Sequence, residues 1–198
     1  MRKQFKSTQN GGRDIENVAA VRRLLPFAHI VKYVARYRRG EDEYFVMDYC
    51  EGVTLDVLLS QWAFAQDELP DRDHHRVLVA QIASQLLQTV SASHARDVLH
   101  LDVKPANIVV NVRQKLVTIV DFGSAKWRHI DDHTGDSGVR TVGYSAPERS
   151  QHSMCSGKSD VWALGCICYE LLTLRHPFPP TENGVLQFDR SVSHQRHQ

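Results

Sequence analysis

Between His100 and Asn107 the chain reads HLDVKPAN, which packs an acid, a base and an amide into one short segment. Asp102 and Lys104 lie two residues apart, so in an extended loop both side chains leave the backbone on the same side and can address one small ligand. Pro105 fixes its own backbone angle and keeps Lys104 out of the helical region, which suits a loop that holds its geometry without regular structure. Asn107 opens an apolar run, Ile108 to Val110, followed by a polar turn from Asn111 to Lys115 and a second run, Leu116 to Val120. This pattern predicts a β-hairpin. Antiparallel pairing would bring Asn107, before the first strand, and Asp121, after the second, to the same end of the ladder. Two neighbouring oxygen ligands suit Mg²⁺, a hard cation normally completed by water and substrate phosphate oxygens. A general base, a lysine that reaches phosphate and a magnesium pair are the groups that phosphoryl transfer requires.

The chain as a whole sets wide bounds. Its 198 residues suffice for one core, or for two small lobes sharing a cleft. A net charge of +1 gives no electrostatic case for nucleic acid or an anionic membrane, so neither is expected as a partner. The Arg22-Arg23 and Arg38-Arg39 pairs read as solvated surface. Cys50, Cys155, Cys166 and Cys168 show no metal-ligand spacing and fit a reduced, intracellular, cytoplasmic setting. The N-terminal residues carry no apolar signal-peptide core, and the stretch from Val161 to Leu174 is too short to span a bilayer and contains Glu170.

Apolar spacing supplies the elements around the loop. Ile15, Val18, Val21, Leu24 and Leu25 predict a helix over 14–25, and residues 1–13, ending in Gly11-Gly12, predict a loop or frayed end. Ile30 to Tyr37 and Tyr44 to Tyr49 flank Arg39-Gly40-Glu41-Asp42 and predict a hairpin. A short helix is expected from Thr54 to Trp62. After a polar break at Pro70 to His75, a long helix from Arg76 to Ala95 carries Val79, Ile82, Ala83, Leu86, Leu87 and Val90 on one face. His74 and His75 have no ligand cluster around them and read as surface. A later helix opens at Asp160, with Leu164, Ile167, Cys168, Leu171 and Leu172 spaced for burial.

His100-Leu101-Asp102 with Lys104 and Asn107, then Asp121-Phe122-Gly123, then Ala146-Pro147-Glu148, resembles the signature set of the protein kinase family. Any one tripeptide is weak, but the set in this order and at these intervals is specific. The resemblance covers about residues 14 to 180. It implies an α+β, two-lobed kinase-like fold: a truncated small lobe of hairpin plus helix over 14–50, and a mainly helical large lobe over 51–180 lacking its last helices. A polar segment, 1–13, would precede it and a disordered tail, 181–198, would follow.

The implied activity is that of a protein serine/threonine kinase, because Lys104-Pro105 follows Asp102 in the serine/threonine manner. ATP and Mg²⁺ are the implied cofactors and a protein hydroxyl the implied substrate. Asp102 would accept or orient the hydroxyl proton, Lys104 would neutralise the γ-phosphate, and Asn107 and Asp121 would hold magnesium. Thr141, ahead of Gly143 and Tyr144, resembles the threonine that contacts the catalytic aspartate and lysine. Phe45 to Gly52 resembles the hinge between lobes, where backbone groups of Asp48 and Cys50 would bond adenine and Met47 would limit the pocket. A plain strand running into a glycine turn is the alternative for that stretch. Glu16 is the candidate partner of the family's strand lysine; a solvated helix glutamate is the alternative. Thr134 and Ser137 are candidate phosphosites, and Asp160 would bond the backbone of the catalytic loop.

Four departures bear on activity. Leu101 stands where the family has arginine, which would deprive a phosphorylated segment of its main cation. No glycine-rich phosphate loop precedes the 14–25 helix. Arg2, Lys3 and Lys6 are the only nearby candidates for the strand lysine, and none lies in a convincing strand pattern. Glu148 is expected to lack its arginine, and a buried unpaired carboxylate is costly. The alternative function is therefore a pseudokinase-like or regulatory segment that binds proteins without turning over ATP.

Overall fold

The computed structural model describes residues 3–7, 29–40, 42–65, 72–127, 143–152 and 155–178. Strand β1, Lys3–Ser7, pairs antiparallel with β3, Asp42–Met47, which pairs on its other edge with β2, Tyr33–Arg39. The β2–β3 hairpin matches the expected turn, with Gly40 at φ +64° where a side chain would be strained. Tyr37 and Tyr44, register partners, stack with ring centroids 5.1 Å apart. Over Lys3–Ser7, strand β1 corrects the expectation of a loop or frayed end; the rest of 1–13 lies outside the described residues. Lys-Gln-Phe-Lys-Ser has little strand character of its own, and its pairing with a strand some forty residues later is invisible to local pattern.

Strand β4, Val53–Thr54, joins β6, Ile108–Asn111, and β7, Leu116–Ile119, in a second sheet ordered β4-β6-β7. Gly52 leads into β4 at φ +135°, and a Cβ there would lie 2.4 Å from the Val110 carbonyl oxygen, so only glycine lets the two backbones meet. Helix α1, Leu55–Phe64, follows at once, and α2 runs from Arg72 to His94. A small sheet of β5, Val98–Leu99, and β8, Lys126–Trp127, brackets the catalytic loop and the Asp-Phe-Gly segment. Helix α3, Pro147–His152, precedes α4, Gly157–Thr173.

Helix α4 is fixed at both ends by local chemistry. The Ser156 side chain accepts from the Lys158 N–H at 3.2 Å, and Ser159 completes a capping box. Leu174 ends it in a left-handed conformation with its N–H on the Glu170 carbonyl at 2.8 Å.

The main core joins the second sheet to the helices. Leu55, Leu58 and Leu59 of α1, Val79, Ile82, Leu86 and Val90 of α2, the inner faces of β6 and β7, and Leu164, Ile167 and Leu171 of α4 form one buried cluster. Each such side chain contributes about 1.5–3 kcal/mol on burial. Two expected core positions differ: Leu87 and Leu172 are more than half exposed, each one residue past a buried leucine and so rotated about 100° off the buried face. Helix α2 also starts four residues earlier than expected, within the predicted polar break. His75 is thereby drawn inward: its ring meets Trp62 edge-on at 5.1 Å and its Nε2 pairs with the Leu171 carbonyl at 3.0 Å. His74 stays exposed as expected.

Candidate active site

The catalytic loop hangs from Asp160 at the start of α4. Its Oδ2 accepts from the His100 N–H at 2.9 Å and pairs with His94 Nε2 at 2.8 Å, while Oδ1 accepts from the Leu101 N–H at 2.7 Å. Asp160 is 1% exposed, and a carboxylate so deep is tolerable because its oxygens are saturated by donors. The role the resemblance assigned to Asp160 is thus visible in the geometry. Leu101 adopts φ +62°, a left-handed conformation that costs a leucine on the order of 1 kcal/mol. Its side chain is buried in a small cluster with Leu99 and Cys155. The position that carries arginine in the family is here an apolar plug.

Past that turn the loop is extended, with Lys104 at φ −157° and ψ 160°, as the following proline demands. Lys104 Nζ lies 2.8 Å from Asp102 Oδ2. Pro105–Asn107 then makes one 3₁₀ turn, with the Asn107 N–H on the Lys104 carbonyl at 2.9 Å. Asn107 is buried, and its Nδ2 donates to the Asp102 carbonyl at 2.9 Å and to Asp102 Oδ2 at 3.0 Å. The three residues singled out in the loop therefore form one polar unit.

The hairpin delivers Asp121 to the same end. Ile108 pairs with Ile119, and the Val120 N–H donates to the Asn107 carbonyl at 2.8 Å, one residue before Asp121. Asp121 sits at φ +63° with Oδ1 accepting from the Gly123 N–H at 3.0 Å. Phe122 is buried with its ring 4.5 Å from that of His100, which ties the Asp-Phe-Gly segment to the loop. Burial holds the His100 imidazole below its ordinary pKa, so the ring is neutral; the nearby carboxylates of Asp160, Asp102 and Asp121 pull the other way without reversing it. The Asp102 N–H donates to His100 Nδ1 at 3.3 Å, which sets the tautomer with its proton on Nε2.

The residues fit a magnesium ion. Asn107 has both donor bonds turned to Asp102, which leaves its Oδ1 as the acceptor for a cation. Asp121 commits Oδ1 to Gly123 and keeps a second carboxylate oxygen. Among the described residues no three His, Cys, Asp or Glu side chains cluster as metal ligands, and an ion with two protein ligands completed by phosphate and water is the Mg²⁺ pattern.

In the stretch that resembles the hinge, Met47 ends β3 half-buried. The Asp48 N–H is already taken by the Lys32 carbonyl at 2.9 Å, so of the two Asp48 backbone groups the carbonyl, approached weakly by Cys50 Sγ at 4.0 Å, is the one left to face a ligand. The segment before β2 is tied to the β6–β7 hairpin: Ile30 bridges Ile119, and the Val31 N–H donates to the Ile119 carbonyl at 3.1 Å. Strand β1 lies alongside, with Lys3 the register partner of Met47 and Lys6 that of Tyr44. Both lysines thus do lie in a strand. Glu16, Thr141, Thr134 and Ser137 lie outside the described residues.

Three contacts had no signal in the sequence. Glu148 is half-buried and its carboxylate accepts from Ser159 Oγ of α4 at 3.0 Å. Arg149, the next residue, is buried and its Nη1 donates to the Leu101 carbonyl. Gln85 of α2 clamps the hairpin like an added strand, donating to the Lys115 carbonyl at 2.9 Å and accepting from the Val117 N–H at 3.0 Å.

Comparison with known proteins gives the family. The family model described as protein kinase domain matches residues 1–196, and the chain belongs to that family. Human serine/threonine-protein kinase Nek2 is 33% identical over 163 residues, covering 79% of this chain and 35% of Nek2. Serine/threonine-protein kinase PknB of Mycolicibacterium smegmatis is 35% identical over 159 residues, covering 73% of this chain and 23% of PknB. Mouse serine/threonine-protein kinase Nek9 is 31% identical over 170 residues, 85% of this chain and 16% of Nek9. The chain thus spans from about a sixth to about a third of the length of these relatives. Among the described residues no helix is long and apolar enough to cross a membrane.

Proposed function

We propose that this chain carries the phosphotransfer site of a protein serine/threonine kinase, moving the γ-phosphate of ATP to a protein hydroxyl. The observation that carries the reading is the polar unit of Asp102, Lys104 and Asn107, with Asp121 at the open end of the same hairpin. Asp102, held by Asn107 and by its own N–H on His100, would orient the acceptor hydroxyl and take its proton. Lys104, paired with Asp102 here, would swing its ammonium to the transferring phosphate. Asn107 Oδ1 and the free oxygen of Asp121 would hold Mg²⁺, which when bound neutralises charge on the ATP phosphates. The Asp48 carbonyl would take the adenine amino group, and Met47 would limit the pocket. Cys50, Thr141 and Glu16 keep the roles that the resemblance assigns. Lys3 is the better candidate for the strand lysine, because cross-strand partners share a sheet face and its partner is Met47.

A second reading, a protein-binding segment without turnover, is favoured by the Lys104–Asp102 contact, which in this state engages the base with the phosphate ligand. Transfer of labelled phosphate from ATP with Mg²⁺ to a generic protein separates the two. Incorporation by the wild type that is lost in Asp102→Asn and Asp121→Asn supports the kinase reading. Equal incorporation by all three proteins refutes it.

A further inference from the structure

Leu101 departs from the family pattern and is also the strained residue of the loop. Both of its main-chain polar groups are held by charged side chains from outside the loop. Its N–H goes to Asp160 Oδ1 at 2.7 Å, and its carbonyl accepts from Arg149 Nη1. Arg149 lies on α3, directly after Ala146-Pro147-Glu148, and is 5% exposed. A guanidinium keeps its charge even when buried, so a permanent cation sits at the carbonyl of the residue preceding Asp102. Leu101, Asp102, Arg149 and Asp160 share the lining of one narrow cavity behind the loop. The left-handed turn that aims Asp102 is therefore gripped from both sides, by an anion at the amide and a cation at the carbonyl.

We propose that Arg149 is a positioning residue for Asp102: by holding the Leu101 carbonyl against Asp160's hold on the amide, it locks the turn that a leucine at position 101 cannot anchor by charge. The significance for catalysis rests on the phosphotransfer reading of Asp102, whereas the clamp can be measured without it. Arg149→Met removes the donor while keeping an apolar stem, and Arg149→Lys restores one charged donor without the fork.

Hydrogen exchange followed by mass spectrometry on wild type and both variants tests the clamp. In Arg149→Met the amides of the 100–104 segment should exchange about tenfold faster or more relative to those of α2, and Arg149→Lys should recover most of that protection. Transfer by Arg149→Met should lose about tenfold in kcat with the KM for ATP unchanged, again with partial recovery in Arg149→Lys. Unchanged exchange in a folded Arg149→Met, or acceleration shared equally by α2, overturns the proposal. Should Arg149→Met not fold, Arg149→Gln takes its place, and a crystal structure of the wild type with the guanidinium turned away from Leu101 overturns the clamp without any variant. If the wild type transfers no phosphate, the kinase reading fails while the exchange result still decides the clamp.

Discussion

Replacing Asp160 by alanine tests how the catalytic loop is held. The carboxylate accepts two backbone N–H groups, from His100 and Leu101, and pairs with His94 Nε2. All of this lies in a region where Asp160, His100 and Leu101 are each under 5% exposed. Alanine strands both amides, and an unsatisfied buried donor costs about 1–3 kcal/mol, so Asp160→Ala should destabilise the protein by about 2–6 kcal/mol. Against a typical stability of about 5–15 kcal/mol, that is a large fraction. His94→Ala removes only the peripheral partner and should cost about 1 kcal/mol alone, and close to nothing once Asp160 is alanine, because the two share one interaction. Urea unfolding of the four proteins in the cycle, followed by far-UV circular dichroism, measures these differences. A loss below about 1 kcal/mol for Asp160→Ala, with additive behaviour of His94→Ala, refutes the reasoning that Asp160 suspends the loop.

Further outcomes follow from single features. Gly52→Ala places a Cβ 2.4 Å from the Val110 carbonyl at φ +135°, so the β4–β6 contact must part; thermal unfolding should show a loss of more than about 2 kcal/mol. His100 titrates below its ordinary value of 6.5 when folded, so the unfolded chain takes the proton first as the pH falls. Its contribution is therefore complete above pH 6.5 and declines below it, and His100→Phe should flatten the fall in stability between pH 6.5 and lower values measured by urea titration. Lys3→Met should weaken ATP use about tenfold or more while Lys6→Met changes it little, read as kcat/KM for ATP; the reverse order would move the strand lysine to Lys6.

The geometry of the His100–Asp121 stretch was legible because it is local. His100 to Asn107 and the hairpin to Asp121 lie within one continuous stretch, where proline geometry and strand alternation fix the register. The β2–β3 hairpin was legible for the same reason. What escaped depends on contacts distant in sequence. Strand β1 is polar and exists through β3, the inward turn of His75 is set by Trp62 and Leu171, and Arg149 finds Leu101 across 48 residues. Glu148 shows the same limit, since its Ser159 partner on α4 has no signal in the local pattern. In the hinge-like stretch, sequence could point to Asp48, but the Lys32 contact shows which of its backbone groups is still available.

The central claim is that Asp102 acts on the acceptor hydroxyl beside a metal-held nucleotide. Phosphate transfer from γ-labelled ATP to a generic protein, measured for the wild type and Asp102→Asn at saturating Mg²⁺ with ATP binding followed in parallel, tests it most directly. Asp102→Asn should lower kcat about 100-fold or more with ATP affinity kept within about threefold. Equal transfer by the two proteins, or loss of transfer only in proportion to lost ATP binding, would contradict it.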